Sequence, residues 1–470
     1  MSALPRIALV SFLVALPLAS GASAQDVVTG TPPFGTFQSF GPSVLNLANL
    51  NTQISIPLLS RPGRGTGFNY SLAYDNSVWV PDNATFSWQP RPQLGWHGLS
   101  EGVTGYLSYK VTTTGCPGPP PKPPGHLRIL TNFVYHDARG VPHAFNGRAV
   151  VNVDFCGYSE SLTDQLATDG SGYLLNYHPD HDGPTDVRTV TGTVINPPEN
   201  DPGGSGSVMD PNGNVVSTTM SSSGGTLTGT FTDTLGTTAL TVAGQAPSPV
   251  SLSYPDAGGT GRTITLQYES RTIKTNFGCA TGIAEYSQDA QALLTRIVMP
   301  DQSSYAFTYE PTPGDASAVT GRMASITLPT GAVIRYAYTG DNNGIVCDDG
   351  STAGVEITTA DAGTWRYRRA RSGNSWVTTA TDPAGNETVS TFSGIYRTQM
   401  QAYAGPAGST LLTAITTCYN ASGSTCVPGD VVPPISSRMV VTTLDNNQVS
   451  VTRTVFNAAG QPLATFENDF

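Results

Sequence analysis

The phrase TRIVMPDQSSYAFTYEP, Thr295 to Pro311, is followed by ASITLPTGAVIRYAYTG, Ala324 to Gly340. The two align position for position, Ile297 with Ile326, Pro300 with Pro329, Phe307 with Tyr336 and Tyr309 with Tyr338. Each copy reads as an alternating strand, a Pro-bearing turn and a second alternating strand, which is the pattern of a β-hairpin with one buried face. A single hairpin cannot bury a core, so a chain that repeats one must pack the copies side by side into a continuous sheet. SYPDAGGTGRTITLQYE, Ser253 to Glu269, reads as a looser third copy with a longer turn. This repetition predicts an all-β fold: repeated antiparallel hairpins forming an extended, twisted or spiralling sheet.

A second cadence supports the same reading. DPNGNVVS from Asp210, DPAGNETVS from Asp382 and FNAAGQPLATF from Phe456 each place Gly where a β-turn between strands needs a positive φ. Composition agrees, being rich in Gly, Pro, Thr, Ser and Tyr, with only three lysines (Lys110, Lys122, Lys274). Thr, Tyr and Val suit a pleated surface while Gly and Pro interrupt helices, so long helices are not expected. Near the start, Phe68, Tyr70, Leu72 and Tyr74 share one face of a half-buried strand after the turn Arg61 to Gly65, and a Trp-rich segment follows (Trp79, Trp88, Trp96).

The first 24 residues carry one Arg, an apolar run from Ile7 to about Leu18 and Ala22-Ser23-Ala24 before Gln25, the plan of a cleaved secretory signal peptide. No later run is long and apolar enough for a membrane-spanning helix. The expected organisation is a signal peptide over 1–24, an N-terminal β module over 25–195 with a Pro-rich insertion at CPGPPPKPPG, a linker over 196–207 and a β-repeat region over 208–470. The expected destination is secreted, periplasmic or cell-surface.

Six cysteines in an exported chain are expected to pair. Cys418 and Cys426 flank a turn-rich segment, Cys279 and Cys347 bracket the two copies of the repeated phrase, and Cys116 and Cys156 remain as a third pair. Six cysteines allow fifteen connectivities, so the pairing stays open at this point. No CxxC is present, which argues against zinc-ribbon and thioredoxin-like chemistry.

The net charge of -11 argues against a nucleic-acid partner, which would need clustered Lys and Arg. The local exception is TWRYRRARSG, where alternation puts Trp365, Tyr367, Arg369 and Arg371 on one face of a half-exposed strand. Candidate chemistry is sparse. GLSEG, Gly98 to Gly102, has the spacing of a hydrolase nucleophile elbow at Ser100, with His97 just before it, but the flanking pattern is not strand, sharp turn, helix. NYHPDHDGPTD gathers His178, Asp180, His181, Asp182 and Asp186, a possible divalent-metal set without HExxH and rich in ordinary turn formers. Asp210, Asn212 and Asn214 open like a calcium loop but lack its sixth-position Gly and twelfth-position acid. No cofactor and no catalytic residue is expected.

The turn phrases, the repeated pair and the entry segment NLANLNTQISIPLLSRPGRGTGFNYSLAYDNSVW together resemble the RHS/YD-repeat family of secreted bacterial proteins. The resemblance covers most of the mature chain in patches. It implies a spiralling sheet of hairpins, which in large toxin-associated members encloses a hollow shell. Phe456 and Asn457 stand where the family's Tyr-Asp pair is common, and no terminal Asp-Pro-x-Gly-Leu core motif is found. Shell closure, self-cleavage and toxic cargo are therefore not carried over. The expectation is a noncatalytic exported scaffold or partner-binding protein, contacting other envelope proteins or surface polysaccharide. The alternatives are a secreted lectin or glycoside hydrolase, or the upstream piece of a toxin-encapsulating shell.

Overall fold

The computed structural model describes residues 27–469 apart from 83, 99, 118–122, 180–184, 224–225, 281, 362, 422 and 424. The signal peptide assigned to 1–24 and most of the Pro-rich tip lie outside the described residues. The fold is all-β: one antiparallel sheet of 23 strands runs from Leu162–Leu166 to Pro462–Asp469, each strand paired with its neighbours in the chain. Among the described residues the only helices are Glu101–Thr104, Asp341–Gly344 and a single 3-10 turn.

The turns explain why strand follows strand. At Asp210 the backbone N–H donates to the Asn214 carbonyl (3.0 Å), and the Gly213 N–H returns to the Asp210 carbonyl (3.0 Å). The Asp210 carboxylate then accepts from the N–H groups of Asn212 and Asn214, both at 2.9 Å. Asp233, Asp256 and Asp382 build the same five-residue unit, and Asn457 does so with its amide oxygen. This is a type I turn closed by a left-handed residue, and its twist matches that of the flanking strands. Met299 to Ser303 and Leu328 to Ala332 in the repeated pair have the same backbone bonds. The third copy, which reads as having a longer turn, closes through the identical unit at Asp256 to Thr260. Hydrogen bonds, from the Asn214 side chain foremost at Asp210 and from the Thr260 N–H foremost at Asp256, hold both carboxyls below their usual range. The turns are thus at full strength above the ordinary carboxylate pKa and weaken as pH falls through the depressed values.

The large sheet curls. Its first hairpin loop stacks on its last, where a Cβ on Gly460 would collide with the Gly170 carbonyl oxygen, and Phe34 meets Phe456 edge-on at 5.2 Å. The concave side is filled by a five-stranded N-terminal sheet (Phe37–Phe40, Ser43–Asn46, Thr52–Arg61, Phe68–Asp75, Trp96–His97). Phe68, Tyr70, Leu72 and Tyr74 are all buried, as their alternation predicts. They share one core with Phe231, Ile264, Ile297, Ile326, Tyr336 and Tyr367 of the large sheet. The three tryptophans are also inside: Trp79 packs on Tyr286 and donates Nε1 to the Thr320 carbonyl (2.8 Å), Trp88 packs on Phe277, and Trp96 packs on Phe307 and donates to the Tyr309 hydroxyl (2.9 Å). A three-stranded sheet (Tyr106–Cys116, Gly125–His136, Pro142–Asp154) makes a second core with the first strands of the large sheet.

The stretch 196–207 connects two paired strands, with Asn196 opposite Ser207, so the large sheet passes through it unbroken. Strand alternation over Gly363–Ser372 turns Tyr367 and Arg369 inward and Arg366 and Arg368 outward. Buried Arg369 donates Nε to the Ala48 carbonyl (2.7 Å) and Nη1 to Ser351 Oγ (2.6 Å), and its guanidinium lies 3.5 Å from the centre of the Trp376 ring.

Disulfides join Cys116 to Cys156, Cys279 to Cys347 and Cys418 to Cys426. Three bridges with no free thiol belong to an oxidising environment, and no helix among the described residues is long and apolar enough to cross a membrane. Replacing Cys279 and Cys347 by Ser should lower unfolding free energy by about 4 kcal/mol, against about 2 to 3 kcal/mol for Cys418 and Cys426, as read by urea titration. Trp79→Ala, which removes a buried ring packed on Phe277 and Tyr286, should cost about 3–5 kcal/mol in the same assay.

Candidate functional site

The densest group of buried ionisable side chains among the described residues surrounds the GLSEG segment. Strand Trp96–His97 ends on His97, and Glu101 opens the four-residue helix Glu101–Thr104. The His97 ring lies between two carboxylates, 3.3 Å from Asp75 Oδ2 and 3.8 Å from Glu101 Oε1. Asp75 is itself a hub, its Oδ1 accepting from the Gly30 N–H (3.0 Å) and from Asn51 Nδ2 (2.7 Å). Glu101 Oε1 accepts from the Gly98 N–H (2.9 Å). Burial pulls the His97 imidazole down, but the Asp75 and Glu101 carboxylates outweigh it and raise its pKa to about 10. Nearby His136 stacks on Tyr106 at 4.3 Å and is pushed down to about 3, by burial first and then by the charge on His97.

Chemistry follows from these charges. A His97 imidazolium that keeps its proton to about pH 10 is a poor general base near neutrality, because a useful base has a pKa near the working pH. Ser100 is fully buried, in helical conformation, and its Oγ donates to the Pro202 carbonyl (3.1 Å). The cavity beside them, lined by Arg91, His97, Glu101, Tyr106 and His136, holds about 30 Å³, the room of one water. The cluster is built as an electrostatic tie that pins the strand Phe68–Asp75, the entry segment at Gly30 and the short helix to one another.

A second tie of the same design joins the three-stranded sheet to the large one. His143 Nδ1 lies 2.7 Å from Asp169 Oδ2, in the first hairpin loop of the large sheet, and Nε2 lies 3.6 Å from Asp137 Oδ2. Tyr135 and Tyr173 wall the ring. Burial again opposes protonation, and the two carboxylates outweigh it, raising His143 to about 9. Sequence reading passed over both ties because each needs one distant partner, Asp75 for His97 and Asp169 for His143. The local signals are His97 with Glu101, four residues apart, and Asp137 with His143, six apart.

Of the metal set, Asp180, His181 and Asp182 lie outside the described residues. Asp186 is buried and engaged by Asn176 Nδ2 (3.0 Å) and Arg188 Nε (2.9 Å), so its carboxylate serves the strand pairing around it. No group of three or more His, Cys, Asp or Glu with the spacing of a metal site occurs among the described residues. Asp210 is taken up by its own turn. A buried ion pair was also missed: Arg322 Nε and Nη2 donate to Glu310 at 2.7 and 2.8 Å, Nη2 and Nη1 also bond the carbonyls of Asn343 and Gly344, and the guanidinium lies 4.1 Å from the Tyr338 ring centre. No protein-family model matches the chain, and no curated protein matches it.

The sign of the pH dependence is set by the ties. Folded pKa values of about 10 and about 9 stand above the unfolded value near 6.5, so the stability from His97 and His143 is complete below about pH 6.5 and is lost as pH rises through 9 to 10. His136 acts oppositely, its contribution fading as pH falls below about 6.5 towards 3. Melting temperature measured from pH 6 to 10 should fall on the alkaline side, and the fall should flatten in a His97→Gln, His143→Gln double variant.

Proposed function

We propose that this protein is an exported, noncatalytic β-repeat scaffold of the RHS/YD type that presents a rigid surface to partners outside the cytoplasm. The observation that carries this reading is the unbroken order of 23 antiparallel strands curled about the N-terminal sheet. Strands added one after another leave few edges exposed, and the loops at either rim become the presenting surface. The three disulfides support export, because such bridges form and persist in an oxidising compartment. The use of the ionisable clusters as structural ties, within one sheet at His97 and between two at His143, supports a role that comes from shape. Small differences separate this chain from a large shell: its concave face is occupied by its own aromatic core, so the working surface is the outside.

Expression of the full chain in a Gram-negative host tests the export half. Mass spectrometry of the non-cytoplasmic fraction should place the N-terminus at Gln25, and thiol titration of the denatured protein should find no free thiol. Retention of the product in the cytoplasm with an intact leader would remove that half. Incubation of the purified chain with a polysaccharide panel tests the other half, with no release of reducing ends expected. Hydrolysis of any member at a rate unaffected by further purification would make the protein a secreted carbohydrate-active enzyme instead.

A further inference from the structure

The repeated phrase does more than extend the sheet. Strands Ser287–Val298 and Ser304–Thr312 pair only through Arg296, Ile297 and Val298, although both run on well beyond that ladder. Above it the chain parts into two ribbons, Gly261–Lys274 with Ser287–Val298 and Ser304–Thr312 with Asp315–Thr327. The ribbons meet again where Ile273 bridges Val319, Lys274 Nζ lies 2.9 Å from Asp315 Oδ2, and the Thr312 hydroxyl donates to the Lys274 carbonyl (2.7 Å). Register shifts at Gln267/Tyr268 on one ribbon and Thr308/Tyr309 on the other supply the twist that opens them. The result is an eye in the sheet, a cleft of about 450 Å³, within the size range of small-ligand sites.

The walls of this cleft are polar and its base is apolar. Gln267, Glu269 and Arg271 come from one ribbon face, Arg296 from the ladder and Thr308 from the facing ribbon, over buried Phe307 and Tyr309. Glu269 and Arg271 neutralise each other at 2.7 Å. Arg296 uses Nε for Ser304 Oγ (3.1 Å), its one hydrogen bond among the described residues, which leaves the planar end of the guanidinium turned to the cleft. The lining therefore carries one net positive charge in a chain of net charge -11. A guanidinium fork takes a carboxylate through two parallel bonds, while an amide and a hydroxyl take ligand hydroxyls.

We propose that this cleft binds a small hydroxylated carboxylate, a sugar acid either free or as a uronate unit of a polymer, held by Arg296 with Gln267 and Thr308 on its hydroxyls. The site stands independently of the scaffold reading, since it needs neither export nor an RHS/YD relationship. Its polar lining is exposed, while Phe307 and Tyr309 beneath it belong to the packed interior.

Saturation-transfer NMR and calorimetry on the purified mature chain decide it, using glucuronate, an oligouronate, glucose and acetate as separate probes. Glucuronate or the oligouronate should bind, and whichever is the tighter names the source. Arg296→Ala should weaken that binding by about tenfold and Arg296→Lys by less, with the melting temperature of both variants near that of the parent because Arg296 is exposed. Glu269→Gln, which releases Arg271, should tighten it, and added salt should weaken it in every case. Failure of both uronates to bind, binding of glucose or acetate as tightly, or indifference to Arg296→Ala would each overturn the proposal.

Discussion

A curled sheet exposes a concave apolar face that it cannot cover with its own strands, and everything else in this molecule answers that constraint. Were the inner positions of the large sheet left to water, Phe231, Ile297, Ile326, Tyr336 and Tyr367 would each forfeit on the order of 1.5–3 kcal/mol of burial. The N-terminal sheet meets them with its own buried face, and three tryptophans add the largest side chains, Trp96 against Phe307 of the first repeat copy and Trp79 and Trp88 against Phe277 and Tyr286 just before it. Fold and curvature are thus one problem: the strands determine that a sheet forms, and the N-terminal segment determines how tightly it can bend.

Apolar contact does not fix register between the two layers, and polar groups do that work. Asn76 Oδ1 accepts from the Tyr338 hydroxyl (2.7 Å) and from the Met323 N–H (3.2 Å), while the Tyr74 hydroxyl donates to the Gly321 carbonyl (2.8 Å). Each bond joins the N-terminal layer to the second copy of the repeated phrase or to the strand, Asp315–Thr327, that leads into it. Buried partners of this kind are costly to separate, because either half alone would keep its desolvation penalty. The Asp75 hub, the His143 tie and the Arg322 to Glu310 pair apply the same logic at other seams, with charge in place of a neutral hydroxyl. A buried ion pair contributes little net stability when intact, yet losing one member costs about 3–5 kcal/mol, so these ties serve position more than strength.

Local order was legible in the chain because local order has local causes. The parity of Phe68, Tyr70, Leu72 and Tyr74, the shared face of Tyr367 and Arg369, and the turns at Asp210 and Asp382 all follow from residues within one or two strands, whereas Arg371, on that same face, is exposed. Asp233 escaped notice although DTLGT has the same Asp-x-x-Gly-x form, since no Pro marks it. Curvature, the layer that fills it and the two imidazole ties were not legible, for they depend on which strands face one another across the fold. Ser100 shows the converse: a motif that matches by spacing acquires a different meaning once its side chain is buried against Pro202.

The seam between Gly170 and Gly460 bears on how far such a sheet can continue. At Gly460 the backbone has φ +73, and any side chain there would strike the opposite loop, so the position is closed to other residues on two counts. Gln302 occupies the equivalent left-handed place in the first repeat copy at φ 70, facing open solvent, while Gly331 fills it in the second. A non-glycine residue there costs roughly 1–2 kcal/mol, which an isolated turn tolerates. Degeneracy is therefore permitted where a turn stands free and forbidden where one coil of the sheet rests on another. The glycine marks the contact, and a curled sheet of this construction is held to its pitch by the few turns that touch rather than by the many that do not.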